Sequence, residues 1–554
     1  MSSLKTIFRA SLLALTVGAA ALIQPAMAQD AIEVQSLDAL DPMEIGLPDA
    51  GLRENLWDGT HADMARLVMQ ALPDARSSGY SSPTQAALAR AVLATGGYPP
   101  SGARGRFDLA AQRADRLLAA AGAFAAFDLL ERTPNINRSS DLSYWHAELA
   151  FALGDNSVAC RVADALLTDR DQPHWLRTRA FCLALNGQGA AAELTAELAR
   201  GAEADAGFDA LLFGITLESG VDGDMPALNS GLKLAMARRI ADFDDVDIAV
   251  ADDAPGWMIR LSQQMSAAIV TPSQDPIADL NRSADLSGDA RTTVLESVLG
   301  QGADREAAAS ALAILLGDAR SDGRFYAAAL RYGREVQLLP MTADTLAHGF
   351  DFAMAALIAD DLRVSRRWRE GLIEGPERDV LVVDPTTLKP IDSTERVGSD
   401  ALFETPDVDD TLWEAPSARN MMHLDLALAV MDDRLNGGAF DAILAAYLEA
   451  HGDAGLPDVV ALTRLGARPP ANLRQRLFAI DAGSSSPLSL AMEAAMNDRA
   501  QAETGLLALA VLASTKETGV SADDLARIAG ALDAVGLRPA ALGLILERVA
   551  QRAQ

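Results

Sequence analysis

The sequence predicts an all-α protein, built as an α-solenoid of antiparallel helix pairs. Helix-forming Ala and Leu dominate the chain, whereas aromatic residues make up only 5% of it. Apolar residues recur at i, i+3, i+4 and i+7 over long stretches, which is the spacing of one helix face. A helix–turn–helix pattern also recurs at an offset of 32 residues, as in helical repeat proteins. One extended, hairpin-like insertion is expected to interrupt the helices.

The repeat is clearest in two stretches, AFALGDNSVACRVADALL at 150–167 and CLALNGQGAAAELTAELA at 182–199. Each reads as the end of an Ala/Leu helix, a short polar turn with glycine, and a second helix. With Trp145 or Trp175 ahead of it, the pattern resembles tetratricopeptide-like repeats. The resemblance implies a right-handed superhelix whose concave groove binds other proteins, and it implies no reaction.

The first 28 residues are predicted to be a secretory signal peptide. Lys5 and Arg9 precede an apolar run at 10–23, and a small-residue triplet ends at Ala28, where cleavage is expected. No later run is long and apolar enough to predict a membrane span. The Ala- and Arg-rich composition indicates a Gram-negative bacterium and hence the periplasm, and an uncleaved anchor is the alternative.

Two further stretches, GLPDAGLRENLWDGT and WLRTRAFCLALNGQ, resemble a family of secreted, Ala-rich bacterial proteins to which no function is assigned. The net charge of −30 argues against nucleic acid and anionic lipid as partners. A hydrophobic content of 49% is enough for packed cores.

Four regions are predicted after the signal peptide, with an acidic break near residue 255 and Pro-rich sequence from residue 376 as their boundaries. The insertion is either a binding loop or a variable segment that packs on the helices. The regions are an N-terminal helical repeat region at 29–255, a middle helical region at 256–375, the extended insertion at 376–416, and a C-terminal helical region at 417–554.

Cys160 and Cys182, the only two cysteines, are predicted to form a disulfide. They fall on two neighbouring predicted helices, about 156–168 and 174–186, and each lies 11 residues from the centre of the turn between them. In an antiparallel hairpin the two positions therefore share one height, and export would place them in an oxidising compartment. Two buried free thiols are the alternative, and a redox pair is disfavoured because no Cys-x-x-Cys spacing is present.

No strong catalytic, metal-binding or cofactor motif is found, so no catalytic residue, metal site or cofactor is predicted. The six histidines show no zinc-binding spacing, and the acidic run at 242–247 lacks the glycine of a calcium loop. One enzyme class is the alternative. Glu296-Ser297 resembles the Glu-Ser pair of periplasmic lytic transglycosylases, which implies Glu296 as the acid, although the Gly-Leu-Met-Gln that follows in that family is absent.

The densest basic cluster lies in LRVSRRWREG and has two interpretations. It would dock an acidic partner, or it would bridge acidic residues of the protein itself. The cluster comprises Arg363, Arg366, Arg367, Trp368 and Arg369. Together the patterns predict an exported, non-enzymatic helical-repeat scaffold or adaptor that mediates protein–protein interaction in the cell envelope, with an unidentified protein partner.

Overall fold

The all-α prediction is confirmed by a computed structural model of the chain. It describes residues 40–221, 223–245, 248–266, 271–273, 275–300, 305–375, 416–477, 486–515 and 520–553. Over these ranges there is no strand, and a single bridge joins His61 to Ser101. None of the helices they contain is long and apolar enough to cross a membrane. The predicted signal peptide and all but the last residue of the predicted insertion lie outside the described residues.

The first half of the chain is a succession of helices. They are α1 (Ala62–Gln70), α2 (Pro83–Ala94), α3 (Phe107–Arg132), α4 (Ser140–Leu153), α5 (Asn156–Ala165), α6 (Pro173–Leu185), α7 (Gly189–Ala202), α8 (Ala206–Leu217), α9 (Gly231–Ile240), α10 (Gly256–Ser266), α11 (Pro276–Ser283), α12 (Gly288–Gly300) and α13 (Arg305–Ser321).

The second half continues in the same manner on both sides of the predicted insertion. Its helices are α14 (Phe325–Tyr332), α15 (Ala343–Leu346), α16 (Gly349–Ile358), α17 (Leu362–Glu374), α18 (Ala418–Met431), α19 (Gly438–His451), α20 (Leu456–Arg464), α21 (Ala471–Leu477), α22 (Pro487–Asn497), α23 (Gln501–Ser514), α24 (Ala522–Ala534) and α25 (Arg538–Arg552).

The helices of the predicted repeat begin and end where its turn residues indicate. Helix α4 ends at Gly154, whose φ of 90° lies in the left-handed region that glycine adopts at low cost. Asp155 then caps α5 by accepting a hydrogen bond from the amide of Val158 at 3.0 Å. Helix α6 ends at Leu185, which is 32 residues after the end of α4 and matches the offset of the repeat.

The first and last helices that the structure describes pack against each other, a contact that the sequence does not predict. Helices α1 and α2 contact α23, and α2 also contacts α25. The hydroxyl of Ser82 donates to Glu547 at 2.7 Å, and the amide of Ala502 donates to the carbonyl of Leu56 at 2.9 Å. Repeats of an open solenoid contact only their neighbours. These contacts join helices that are far apart in the chain, so they are not contacts of an open solenoid. Helix α23 is apolar on nearly all sides and is buried by partners all around it.

Residues Asp41–Gln554 form one compact unit, and the boundaries predicted near 255 and 376 both lie within its span. A buried carboxylate links three helices of its C-terminal part. Asp458 on α20 is fully buried and pairs with Arg548 at 2.5 Å and Arg552 at 2.7 Å, both on α25. The Tyr447 hydroxyl of α19 donates to the same carboxylate at 2.8 Å. Pairing on every side offsets the desolvation of this buried charge.

Candidate functional site

The predicted disulfide is confirmed, and it lies in the segment that contains the candidate site, α4 to α9. Cys160 on α5 and Cys182 on α6 are bonded, with their Cα atoms 5.7 Å apart. Trp175, at the start of α6, is buried and donates its indole N–H to the Ser140 hydroxyl at 2.9 Å. The disulfide and this hydrogen bond hold α6 against α5 and against the beginning of α4.

A cavity of about 500 Å³ opens beside α4, a size typical of small-molecule sites. Three aromatic side chains line it: Tyr144 and Trp145 from α4, and Trp257 from the first turn of α10. Trp257 is held there because its amide donates to the carbonyl of Ala75 at 3.1 Å. The acidic stretch interpreted as a boundary near residue 255 therefore forms a wall of this cavity.

Glu148, on α4, also lines the cavity, and its side chain is only 2% exposed. Its Oε2 accepts a hydrogen bond from the amide of Gly231 at 2.6 Å, so this oxygen caps the start of α9. A Cβ at Gly231 would lie 2.0 Å from the Glu148 carbonyl oxygen, which explains why glycine stands there. The other oxygen, Oε1, is buried and has no hydrogen-bond partner among the described residues.

Burial dominates the electrostatics around Glu148. Desolvation raises the pKa of Glu148 to about 7, against partial compensation from the Gly231 and Leu232 amides and from Lys233. His174 lies with Nδ1 4.0 Å from Oε1, and desolvation lowers the pKa of His174 to about 4. Lys233 is itself paired with Asp205 at 3.0 Å. The carboxyl group thus titrates in the neutral range, beside a neutral imidazole.

A second feature of the segment is an apolar surface on α7 and α8, which we call the α7–α8 face. Leu194 and Leu198 of α7 are 68% and 59% exposed, and Phe213 and Leu217 of α8 are 54% and 55% exposed. The buried side of α7 is instead formed by Ala192, Ala196 and Ala199. The leucines of α7 therefore point outward while its alanines face the core, the reverse of the usual arrangement.

The α7–α8 face is bordered by charged residues. Arg200 joins the two helices through Asp209, with 2.9 Å between Nε and Oδ2, and also pairs with Glu197. Glu193 is exposed and forms no ion pair with any residue that the structure describes. Between the helices lies a groove of about 360 Å³ lined in part by Glu193 and Phe213. The border is therefore acidic overall.

The basic cluster predicted on α17 is divided by the fold. Trp368 is fully buried in the core, so its predicted contact with a partner is wrong; its indole packs edge-on against Phe352. Arg366 pairs with Asp432 at 2.6 Å and Arg369 pairs with Asp425 at 2.5 Å, as the bridging interpretation expects.

Two members of the cluster remain at the surface. Arg363 and Arg367 are exposed and form no ion pair within the described ranges. Partner contact by these two arginines, and by the outer faces of Arg366 and Arg369, stays a prediction.

Glu296, the candidate acid of the enzyme alternative, lies on α12 and is partly exposed. Its Oε1 is 2.6 Å from the guanidinium of Arg331 and accepts the hydroxyl of Tyr332. A general acid must present its proton to the leaving-group oxygen. Here one carboxylate oxygen is instead occupied as an acceptor by two neighbouring side chains.

A pair of histidines is brought together that sequence spacing did not reveal. Nε2 of His423 lies 2.8 Å from Nε2 of His451, which is 28 residues away on the next helix. Nδ1 of His423 donates to the carbonyl of Arg419 at 2.8 Å, so its Nε2 accepts from His451 when both rings are neutral. Burial lowers the pKa of both rings, that of His423 to about 4. No group of three or more metal-ligating side chains occurs within the part of the chain that the structure describes.

Comparison with known proteins finds no match: no protein-family model, curated protein or solved structure aligns with this chain. Function is therefore inferred from the contacts, burial and charges of the segment α4–α9.

Proposed function

We propose that the protein is an exported, non-enzymatic scaffold that holds another protein through the α7–α8 face. The observation that carries the proposal is the set of four large apolar side chains at i, i+4 spacing on two adjacent helices, all more than half exposed. Large apolar side chains exposed together on neighbouring helices are typical of protein–protein contact sites. Since α7 buries only alanines, its leucines contribute little to folding, which leaves binding as their function.

The charge around the face favours one kind of partner, an amphipathic helix with basic residues beside its apolar stripe. Helix-in-groove recognition uses apolar anchors at helical spacing. The exposed carboxylates of Glu193 and Glu197 and the net charge of −30 both favour a basic border on the partner. The tetratricopeptide-like arrangement of α4–α8, the signal peptide and the periplasmic location belong to this same proposal.

The α7–α8 proposal is tested by crosslinking in cells that export the tagged protein, followed by mass spectrometry of the captured proteins. We expect one reproducible partner with the wild-type chain and its loss in the double variant Leu194→Ser, Leu198→Ser, which leaves the core untouched. Leu490→Ser is the matched control, because Leu490 on α22 is 59% exposed, the same fraction as Leu198. Equal capture by the double variant and the wild type would overturn the proposal.

The enzyme alternative is tested separately. A muropeptide-release assay compares the wild type with Glu296→Gln, and a scaffold releases nothing in either form. Release by the wild type that Glu296→Gln abolishes would replace the scaffold proposal with the enzyme.

A further inference from the structure

We propose that the cavity beside Glu148 binds a primary alkylammonium group, supplied either by a small amine or by a lysine side chain of a protein. This site lies on α4 and α10 and does not rest on the α7–α8 face. Three observations carry the inference: an unsatisfied buried carboxyl oxygen, aromatic walls, and a rim that opens to solvent.

The carboxyl group is the first of these observations. Glu148 lines the cavity with a side chain that is 98% buried, and its Oε1 has no hydrogen-bond partner in the described part of the chain. A buried polar atom left without a partner costs free energy, more so when it is charged. An ammonium N–H donated to the Glu148 carboxylate from the cavity would stabilise the ionised form of this buried group, which makes a cationic donor the complementary ligand.

The walls suit the remainder of such a ligand. The rings of Tyr144 and Trp145 are in edge contact, with centroids 5.2 Å apart, and Trp257 also lines the cavity. Aromatic faces attract ammonium groups by cation–π interaction, and they also cover the apolar methylene stem of an alkylamine. A small anion or a carboxylic acid would gain nothing from these faces and would be repelled by Glu148.

The other charges near the cavity do not reverse this preference. Asp253 and Arg76 line it, and both are exposed, so their opposite charges act through water and largely offset one another. Lys233, on α9, is neutralised by Asp205, and His174, on α6, is neutral at physiological pH. The Tyr144 hydroxyl stays protonated because burial raises the pKa of this side chain. Glu148 is thus the group whose charge the ligand meets once it is inside.

Binding should therefore be linked to the protonation of Glu148. The ligand needs the carboxylate, and the pKa of this carboxyl group lies near 7. A ligand that is fully protonated throughout, as alkylamines are below about pH 9, should bind more tightly at pH 8 than at pH 6. The ionised fraction of a group with a pKa of about 7 changes by about tenfold over that interval, so the dissociation constant should change by about the same factor.

The experiment is calorimetric titration of the full exported chain with n-pentylamine at pH 6 and pH 8, with n-pentanol as the uncharged analogue. We expect pentylamine to bind about tenfold more tightly at pH 8, and pentanol not to bind at the same concentrations. Glu148→Gln should weaken pentylamine binding and abolish its pH dependence, because glutamine keeps the acceptor for the Gly231 amide but carries no charge. Glu449→Gln, which changes an exposed carboxylate outside both proposed binding sites, should change neither.

A second variant and a second probe complete the test. Trp145→Ala, which removes a partly buried wall residue, should weaken binding roughly 2- to 30-fold, the range expected for one cation–π contact. The peptide Ac-Ala-Lys-Ala-amide distinguishes the sources: peptide binding indicates a partner's lysine, and binding of pentylamine alone indicates a free amine. The proposal is overturned if neither probe binds, or if binding is indifferent to both Glu148→Gln and pH.

Discussion

The free energy of unfolding of the wild type should fall as the pH rises and Glu148 ionises. Glu148→Gln should not show this fall. Burial raises the pKa of Glu148 from 4.5 to about 7. An acid whose pKa is raised on folding binds its proton more tightly in the folded state, so the associated stability is fully present below pH 4.5 and is lost as the pH rises to 7. A shift of this size corresponds to roughly 3 kcal/mol over the whole titration.

The difference between the two proteins isolates this effect from other titrations. Glutamine still accepts from the amide of Gly231 but has no charge, so the stability of Glu148→Gln relative to wild type should increase by roughly 2 to 3 kcal/mol between pH 5 and pH 8. Burial lowers the pKa of His146, His174 and His423 to about 4 in the folded state, which makes stability rise with pH between 4 and 6.5. That rise is common to both proteins and cancels in the difference for His146 and His423. For His174, whose Nδ1 lies 4.0 Å from Glu148, it cancels above pH 5, where the folded ring is neutral in both proteins.

The assay is urea unfolding followed by far-UV circular dichroism at pH 5, 6, 7 and 8, with Glu193→Gln as the matched control on an exposed carboxylate. The control should follow the wild type at every pH. Parallel curves for Glu148→Gln and wild type would refute the reasoning, because they would mean that the carboxyl group titrates alike in the folded and unfolded chains.

Three further predictions concern stability. The double variant Cys160→Ser, Cys182→Ser should lower the free energy of unfolding by about 3 kcal/mol, which is the loop-closure contribution of a 22-residue separation. The wild type should lose the same amount under reductant, and an unchanged free energy of unfolding would contradict a formed disulfide. Asp458→Ala should cost roughly 3–5 kcal/mol in urea unfolding because it leaves two arginines unpaired, whereas a loss below 1 kcal/mol would deny the buried pairing. Gly231→Ala should lower the free energy of unfolding by roughly 1–3 kcal/mol, because its Cβ would lie 2.0 Å from the Glu148 carbonyl oxygen. Gly201→Ala has open space around it and should be neutral or stabilising. Equal effects of the two substitutions would contradict the clash.

Local features of the fold could be predicted from the sequence because they depend on residues close together in the chain. The ends of α4 and α6 follow from Ala/Leu periodicity and from turn residues such as Gly154. The Cys160–Cys182 bond follows from the same periodicity, since two helices of known length joined by a short turn fix which positions share a height.

Contacts between distant helices could not be predicted in this way. The run GLLALAVLAS in α23 indicates a buried helix, but its composition does not say that α1 and α2 cover it. Trp368 looked like a surface anchor among four arginines, yet α17 turns it inward and leaves the arginines outside. The pairing of His423 with His451 likewise depends on how α18 and α19 pack.

The Glu148 cavity was missed because its lining comes from four separate parts of the chain. Arg76, Asn229 and Trp257 approach α4 only in the folded protein, and the stretch around residue 255 looked like a linker. One signal was available in the sequence. Glu148 stands alone between Ala147 and Leu149 on the apolar side of a helix, where an isolated carboxylate is costly unless it has a specific role.

The central claim, that the α7–α8 face holds another protein, is tested most directly by site-specific photo-crosslinking in cells. A photoreactive amino acid is placed at position 198 or, as the equally exposed control, at position 490. We predict one discrete adduct from position 198, none from position 490, and loss of the adduct when Phe213→Glu places a charge in the same face. The claim would be contradicted if position 198 gave no adduct, or gave one that position 490 and Phe213→Glu reproduced.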